Sequence, residues 1–312
     1  MRLLVTGVSG LLGSAVARLG AAAGHEIIGT VGRWAQTVPG VTRQVPIDLA
    51  DQPRLDALLR ETGPEAVVNC AALAEPAACD ANPVLAEKIN VALPATLAHW
   101  VATNGARLLH VSTEQVFDGE SVPYRTSDPV KPLHLYGRQK AEAERRVLAA
   151  CPGAGVLRIP LLFGNSLGGR RSVHEKFLET WATGRVMRLF TDEVRAVCSS
   201  ENVATALLEL ALRPDLTGLL HWTGARPVSR YEMGRAICAR FGFPETWIEA
   251  VPRSAMPEFT ATRPRDLTLD LAPLDRELKT RLEDFEETVA GLVLPAWWRE
   301  LESPDLANPK LR

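Results

Sequence analysis

The sequence predicts an α/β protein, a doubly wound parallel sheet covered by helices and followed by a smaller C-terminal lobe. Two observations predict it. Short apolar runs alternate with helix-period segments through the first half of the 312-residue chain, and that alternation demands right-handed crossovers and a buried parallel sheet. The stretch TGVSGLLG, residues 6–13, sets three glycines at a spacing of three between the first apolar run and the first helical pattern.

Taken in order, residues 2–6, 26–31, 41–47, 66–72, 107–112 and 156–159 read as strands. Asp51 is placed to cap a helix whose Leu55, Leu58 and Leu59 share one face. Asn82-Pro83 opens another helix, which must bend or restart at Pro94, where no backbone N–H is available. After about Phe163 the alternation loosens into helices at 173–183, 202–212 and 229–241, joined by the proline-bearing connections RPVSR and VPRSAMPEF. The expected division is a sheet domain over 1–163, to which the chain returns near 196–222, and a second lobe formed mainly by 164–312. The final SPDLANPKLR reads as a loosely held tail.

Composition narrows the function classes. Hydrophobic residues make up 46% and charged residues 23% of the chain, values of an ordinary globular protein rather than a disordered or fibrous one. A net charge of −2 offers no basic footprint for nucleic acid. No apolar run approaches a membrane span, and MRLLVTG meets glycine too soon for a signal-peptide core, so a cytoplasmic protein without a membrane partner is expected. Five scattered cysteines and six histidines show neither a disulfide framework nor ligand spacing, so no metal site is expected.

The glycines carry the first chemical signal. Gly7, Gly10 and Gly13 follow a strand and open a helix, the context in which a Rossmann fold binds a dinucleotide. One glycine permits the tight turn, one lets backbone N–H groups approach a pyrophosphate at the positive helix end, and one lets the helix pack closely. A glycine-rich structural turn is the competing reading. At the end of the second strand, where an acid would accept a bond from a ribose 2′-hydroxyl, IIGTVGR delivers Arg33. A guanidinium there attracts a 2′-phosphate, which favours NADP(H), with NAD(H) as the alternative cofactor; a solvated loop arginine is the competing reading for Arg33.

YGRQK sets Tyr136 and Lys140 one helical turn apart on one face, in a chain with only three tyrosines. A cation beside a phenol lowers its pKa from the ordinary value near ~10 and makes it a usable proton donor. Upstream, LLHVSTEQVFDG ends a strand at Ser112-Thr113, placing hydroxyls at the carboxyl edge of the sheet, where ligands bind, or simply capping a helix.

These segments, together with VVNCAAL, INVALPATLA, LRIPLLFG and ATRPRDLTLD, resemble the extended short-chain dehydrogenase/reductases, and within them the dTDP-4-dehydrorhamnose reductases, over nearly the whole chain. The resemblance implies that Tyr136 protonates a sugar C4 carbonyl oxygen as hydride arrives, that Lys140 holds the nicotinamide ribose, and that Thr113 bonds the same carbonyl with Ser112 in reserve. It implies cofactor contacts from Gly7, Ser9, Gly10, Leu11, Leu12 and Gly13, from Asp48 and Leu49 beside the adenine, and from Cys70, Ala71 and Ala72 beneath the cofactor. Asn90 matches the helical asparagine behind the lysine. Arg263 sits where a sugar-nucleotide contact is implied, and Glu114 is implied to touch substrate or a helix end.

The chain departs from the family where Ser-Thr-Asp-Tyr becomes Ser-Thr-Glu-Gln, through Glu114 and Gln115. A nucleotide-sugar dehydratase would need an acid and a base at those two positions, and Gln115 is no base. The leading expectation is therefore an NADPH-dependent reductase of a nucleotide-activated 4-keto-deoxysugar, needing no metal. The alternatives are a cofactor-binding regulatory subunit, since the β-subunit of methionine adenosyltransferase resembles the same family, and an epimerase or dehydratase that retains NAD. A homodimer is the protein partner left open.

Overall fold

The computed structural model describes residues 1–301, so the expected tail at 303–312 lies outside the described residues. The first half alternates as expected: β1 (Arg2–Thr6), α1 (Leu11–Ala22), β2 (Glu26–Val31), β3 (Arg43–Pro46), α2 (Gln52–Thr62), β4 (Ala66–Asn69), α3 (Pro76–Ala81), α4 (Pro83–Glu87), α5 (Leu93–Asn104), β5 (Arg107–Thr113), α6 (Leu135–Ala150) and β6 (Gly155–Ile159). The second half contributes β7 (Leu162–Phe163), α7 (Val173–Trp181), β8 (Met187–Phe190), β9 (Val194–Arg195), β10 (Cys198–Ser199), α8 (Ser200–Ala211), β11 (Gly218–His221), β12 (Val228–Ser229), α9 (Arg230–Phe241) and β13 (Ile248–Val251).

Seven strands form one sheet in the order β3-β2-β1-β4-β5-β6-β11. Every pairing in it is parallel, with Leu3 beside Ile27 on one side and beside Ala66 on the other. The order reverses between β1 and β4, and a doubly wound sheet opens its ligand crevice outside the strand ends at such a point. Later in the chain, α8 packs on α1 and β11 pairs with β6 at the edge of the sheet.

Helices seal both faces. Val5, Val16, Val68, Leu207 and Trp222 belong to the core on one face, and Leu4, Leu55, Leu59, Leu97 and Val156 to that on the other. Each such buried aliphatic side chain contributes roughly 1.5–3 kcal/mol of transfer free energy. Asp51 caps α2 as expected, accepting from Arg54 N at 3.2 Å, and Asn82 caps α4, accepting from Leu85 N at 3.2 Å. The bend expected at Pro94 appears just before it, as a π-helical turn over Lys88–Ala92. Proline offers no N–H to the preceding turn, and the wider turn absorbs the missing bond.

Beyond the sheet, β8 pairs with β13, β9 with β12, and β7 with β10. Trp181, Trp247, Phe243 and Trp298 interlock as the aromatic centre of this lobe, with Phe243 stacked on Trp247 at 5.0 Å. Among the described residues no helix is long and apolar enough to cross a membrane, and no group of His, Cys, Asp and Glu is arranged to hold a metal.

Candidate active site

A cavity of about 440 Å³ opens at the crevice. Its sheet-side wall is made by Gly10, Leu11, Leu12 and Gly13 at the start of α1, by Cys70 and Ala72 after β4, and by Ser112, Thr113 and Tyr136. Arg171 and, from α7, Lys176 also line the cavity.

The glycine turn is built for close approach. Gly7 has φ +71°, in the left-handed region, and a Cβ on it would lie 3.1 Å from Ala71 Cα. A Cβ on Gly13 would lie 2.3 Å from the Gly7 carbonyl oxygen, so the third glycine serves the turn itself as much as the helix–sheet contact. Gly10 caps α1 without any side chain, and no acidic residue occupies the first turn. The N–H groups there are free to meet an anion, which the helix dipole favours. These features fit a dinucleotide pyrophosphate.

The same crossing shortens a strand. Residues 66–72 were expected to be extended, yet β4 ends at Asn69. Ala71 N donates instead to Thr6 Oγ1 at 3.1 Å, and the chain leaves the ladder to pass under Gly7. Arg33 is exposed just beyond β2, and Asp48 is exposed beyond β3, where its Oδ1 accepts from Ala50 N at 2.9 Å. Leu49 is half-buried against the α2–α5 core. Ser9, half-buried, lies inside the glycine turn.

Tyr136 stands in the first turn of α6, which His134 caps by accepting from Gly137 N at 3.1 Å. A Cβ on Gly137 would lie 2.4 Å from the Gln115 carbonyl oxygen, so this glycine allows α6 to start against the end of β5 and brings Tyr136 to Thr113. Thr113 lines the cavity beside Tyr136, and its hydroxyl accepts from Gln115 N at 3.2 Å, the capping contact. Ser112 differs: its hydroxyl donates to Glu144 Oε1 at 2.5 Å, and Arg158 grips the same carboxylate at 2.9 and 2.7 Å.

The electrostatics depart from the expected Tyr–Lys coupling. Burial pushes the Tyr136 phenol above its ordinary value, Cys79 adds to the rise, and the Thr113 bond offsets part of it. Lys140 is buried, with its Nζ 2.6 Å from the Val111 carbonyl oxygen and 3.0 Å from His110 Nε2. Burial draws Lys140 down to about 8, against the pull of Glu144 and Cys70. Asn90, on the π-helical turn, clamps the Leu73 backbone through both its amide atoms and donates to Gln139 Oε1 at 3.0 Å. It thus ties the loop after β4 to the residue before Lys140.

Neither Glu114 nor Arg263 lines the cavity, and Glu114 instead begins a helical turn, the other place the resemblance left open for it. Glu114 is 1% exposed and off the cavity wall, with Arg195 Nε 3.1 Å from its Oε1, because the chain turns inward after Thr113 to start a short 3-10 turn. Burial pushes its carboxyl up to about 7, against the pull of Arg195 and Arg230. Arg263 lies outside the cavity, 3.6 Å from Glu193 and 4.8 Å above the Phe259 ring. Arg171, Lys176 and Glu75 were missed by sequence reasoning, and Lys176 pairs with Glu75 across the cavity mouth. Their sequence contexts carry no motif, and only the folding of α7 over the crevice reveals them.

Comparison with known proteins agrees with this architecture. Residues 1–296 match the family described as RmlD substrate binding domain. The chain is 32% identical over 283 residues, covering 88% of itself and 81% of the relative, to methionine adenosyltransferase 2 subunit beta of Pongo abelii. It is 32% identical over 295 residues, covering 94% of itself and 97% of the relative, to the probable low-salt glycan biosynthesis reductase Agl14 of Haloferax volcanii. Its fold matches that of dTDP-4-dehydrorhamnose reductase from Bacillus anthracis, solved in complex with NADP, with a TM-score of 0.77, 18% identity, and coverage of 93% of this chain and 97% of that one. With a family match across the sheet and the second lobe, and a Rossmann crevice carrying the Tyr–Lys helix, this chain belongs to the RmlD substrate binding domain family, in the extended short-chain dehydrogenase/reductase fold.

Proposed function

We propose that the protein is an NADPH-dependent reductase of a nucleotide-activated 4-keto-deoxysugar. One observation carries the reading: Thr113, Tyr136 and the N-terminus of α1, which no side chain caps, line one cavity of about 440 Å³. The α1 N–H groups would hold the pyrophosphate, Arg33 the 2′-phosphate, and Lys140 the nicotinamide ribose. The bound cofactor would supply a hydride.

The chain's own residues supply the rest. Tyr136 delivers its phenolic proton to the sugar oxygen as negative charge develops there. Thr113 holds that oxygen in place, and a fixed donor in a site screened from water stabilises the charge at little reorganisation cost. Arg171 and Lys176, lining the same cavity, suit the diphosphate of a nucleotide sugar. The relative named as a glycan biosynthesis reductase supports reduction of a sugar. Five free cysteines fit the reducing cytoplasm.

Purified protein given NADPH and dTDP-4-dehydrorhamnose should oxidise the cofactor, and Tyr136→Phe should slow this by about 100-fold or more. A second reading is favoured by the relatives named as methionine adenosyltransferase 2 subunit beta: a cofactor-binding subunit without turnover. NADPH binding with no oxidation on any keto-sugar, plus co-purification with an adenosyltransferase, would establish that reading instead. Retained NAD, as in an epimerase or dehydratase, is opposed by Arg33 and by Gln115 in place of a base.

A further inference from the structure

Lys140 ends a chain of buried polar groups that the proposed reaction does not use. Thr6, Asn69, His110 and Lys140 are each no more than 2% exposed. Thr6 Oγ1 lies 2.6 Å from Asn69 Oδ1, Asn69 Nδ2 lies 3.0 Å from His110 Nδ1, and His110 Nε2 lies 3.0 Å from Lys140 Nζ. At its far end Thr6 Oγ1 accepts from Ala71 N, in the loop under the glycine turn.

Hydrogen-bond accounting restricts this chain to two patterns. Burial and Lys140 hold His110 well below its ordinary value, so the imidazole is neutral and carries a single N–H. In the first pattern Thr6 donates to the Asn69 carbonyl and the Asn69 amide donates to Nδ1. The proton then sits on Nε2 and points at Lys140, which must offer a lone pair and is a neutral amine. In the second pattern the Asn69 amide is turned over and its carbonyl accepts from Nδ1–H. Nε2 is then an acceptor, and Lys140 can donate to it as an ammonium, the form the first pattern forbids. Only the second pattern admits the extra proton: amine plus H⁺ gives ammonium, while the imidazole stays neutral and exchanges tautomer. With its amide oriented as in the structure, Asn69 fits the first pattern.

The surroundings leave this decision to His110. Glu144, one turn along α6, is gripped by the Arg158 guanidinium at 2.9 and 2.7 Å and takes the Ser112 hydroxyl. Cys70 faces Lys140 from the end of β4, and burial pushes its thiol up to about 12, so it brings no negative charge. From β6, apolar Val156 is the residue opposite His110. The remaining partner of Nζ is the Val111 carbonyl, which accepts from either form.

We propose that His110, oriented by Asn69, decides whether Lys140 is charged, and that the two act as positioning residues for the proton Tyr136 delivers. The link to Tyr136 rests on the reductase reading, whereas the control of Lys140 does not. The test uses the cofactor-free protein labelled with ¹³C at lysine Cε, the Lys140 signal among six lysines being identified by its loss in Lys140→Arg. In the wild type, Lys140 is expected to titrate about one pH unit or more below the other lysines. Asn69→Asp offers only acceptors to Nδ1–H and so fixes the second pattern, which should raise the Lys140 midpoint by about one unit, a tenfold gain in proton affinity. His110→Gln, whose carbonyl accepts without any tautomer exchange, should also raise it and covers the case in which the aspartate variant does not fold.

A wild-type Lys140 that titrates with the other lysines overturns the proposal. So does an unmoved midpoint in a folded variant. The pH midpoint of kcat/KM for NADPH oxidation should move with the resonance, whereas a purely structural role would lower turnover evenly at all pH values. A moved resonance in a protein that reduces no keto-sugar would keep this inference and remove the reductase reading.

Discussion

Gly13 lies directly beneath Gly7, with the position of a Cβ on Gly13 only 2.3 Å from the Gly7 carbonyl oxygen. The clash is with backbone, which no rotamer change relieves. Gly13→Ala must therefore lift the turn away from α1 and spoil the N–H geometry that fits a pyrophosphate. The expected result is a loss of NADPH affinity of about tenfold or more, with a stability cost of roughly 1–3 kcal/mol as for other overpacked sites. Titration by cofactor fluorescence, with urea unfolding alongside, measures both.

Arg33 tests the cofactor preference. It is exposed at the end of β2, where a 2′-phosphate would be read. Arg33→Ala should weaken NADPH about tenfold, near 1.4 kcal/mol, and leave NADH almost unchanged. Equal losses for both cofactors would remove Arg33 from the site.

The ion pair between Arg158 and Glu144 predicts a stability effect. Both side chains are buried, at 1% and 5% exposure, and bonded bidentately. Removing one charge leaves the other stranded, so Glu144→Gln should cost roughly 3–5 kcal/mol in urea unfolding, while Arg158→Met with Glu144→Met together should cost less. A single variant as stable as the wild type would contradict this.

The contrast between these sites explains how far the sequence could be followed. Strand–helix alternation and the caps at Asp51 and Asn82 are local signals and were legible. The glycine turn was legible too, because its requirement is local. The early end of β4 was not, since it depends on Ala71 crossing under Gly7, far away in the chain. The environment of Glu114 was not legible for the same reason: Arg195, which pairs with it, lies far along the chain, and of the two places left open for Glu114 only the folded chain shows the start of a helical turn. His110 sits on a strand whose apolar neighbours read as core, and nothing local marks it as the contact of Lys140.

Glu114 yields a pH prediction whose sign follows from its environment. Its carboxyl is pushed up to about 7 in the folded protein by burial, against an ordinary value of 4.5. Between those values the folded state holds a proton that the unfolded state releases. Its contribution to stability is therefore fullest below about pH 4.5 and is lost as pH rises towards about 7, with a slope of up to about 1.4 kcal/mol per pH unit. Glutamine has no proton to lose, so Glu114→Gln should gain stability relative to the wild type as pH rises across this window, whatever the absolute cost of depriving Arg195 of its partner. Urea unfolding of both proteins at a series of pH values gives the difference directly. A flat difference across the window would mean that Arg195 keeps Glu114 ionised in the folded state.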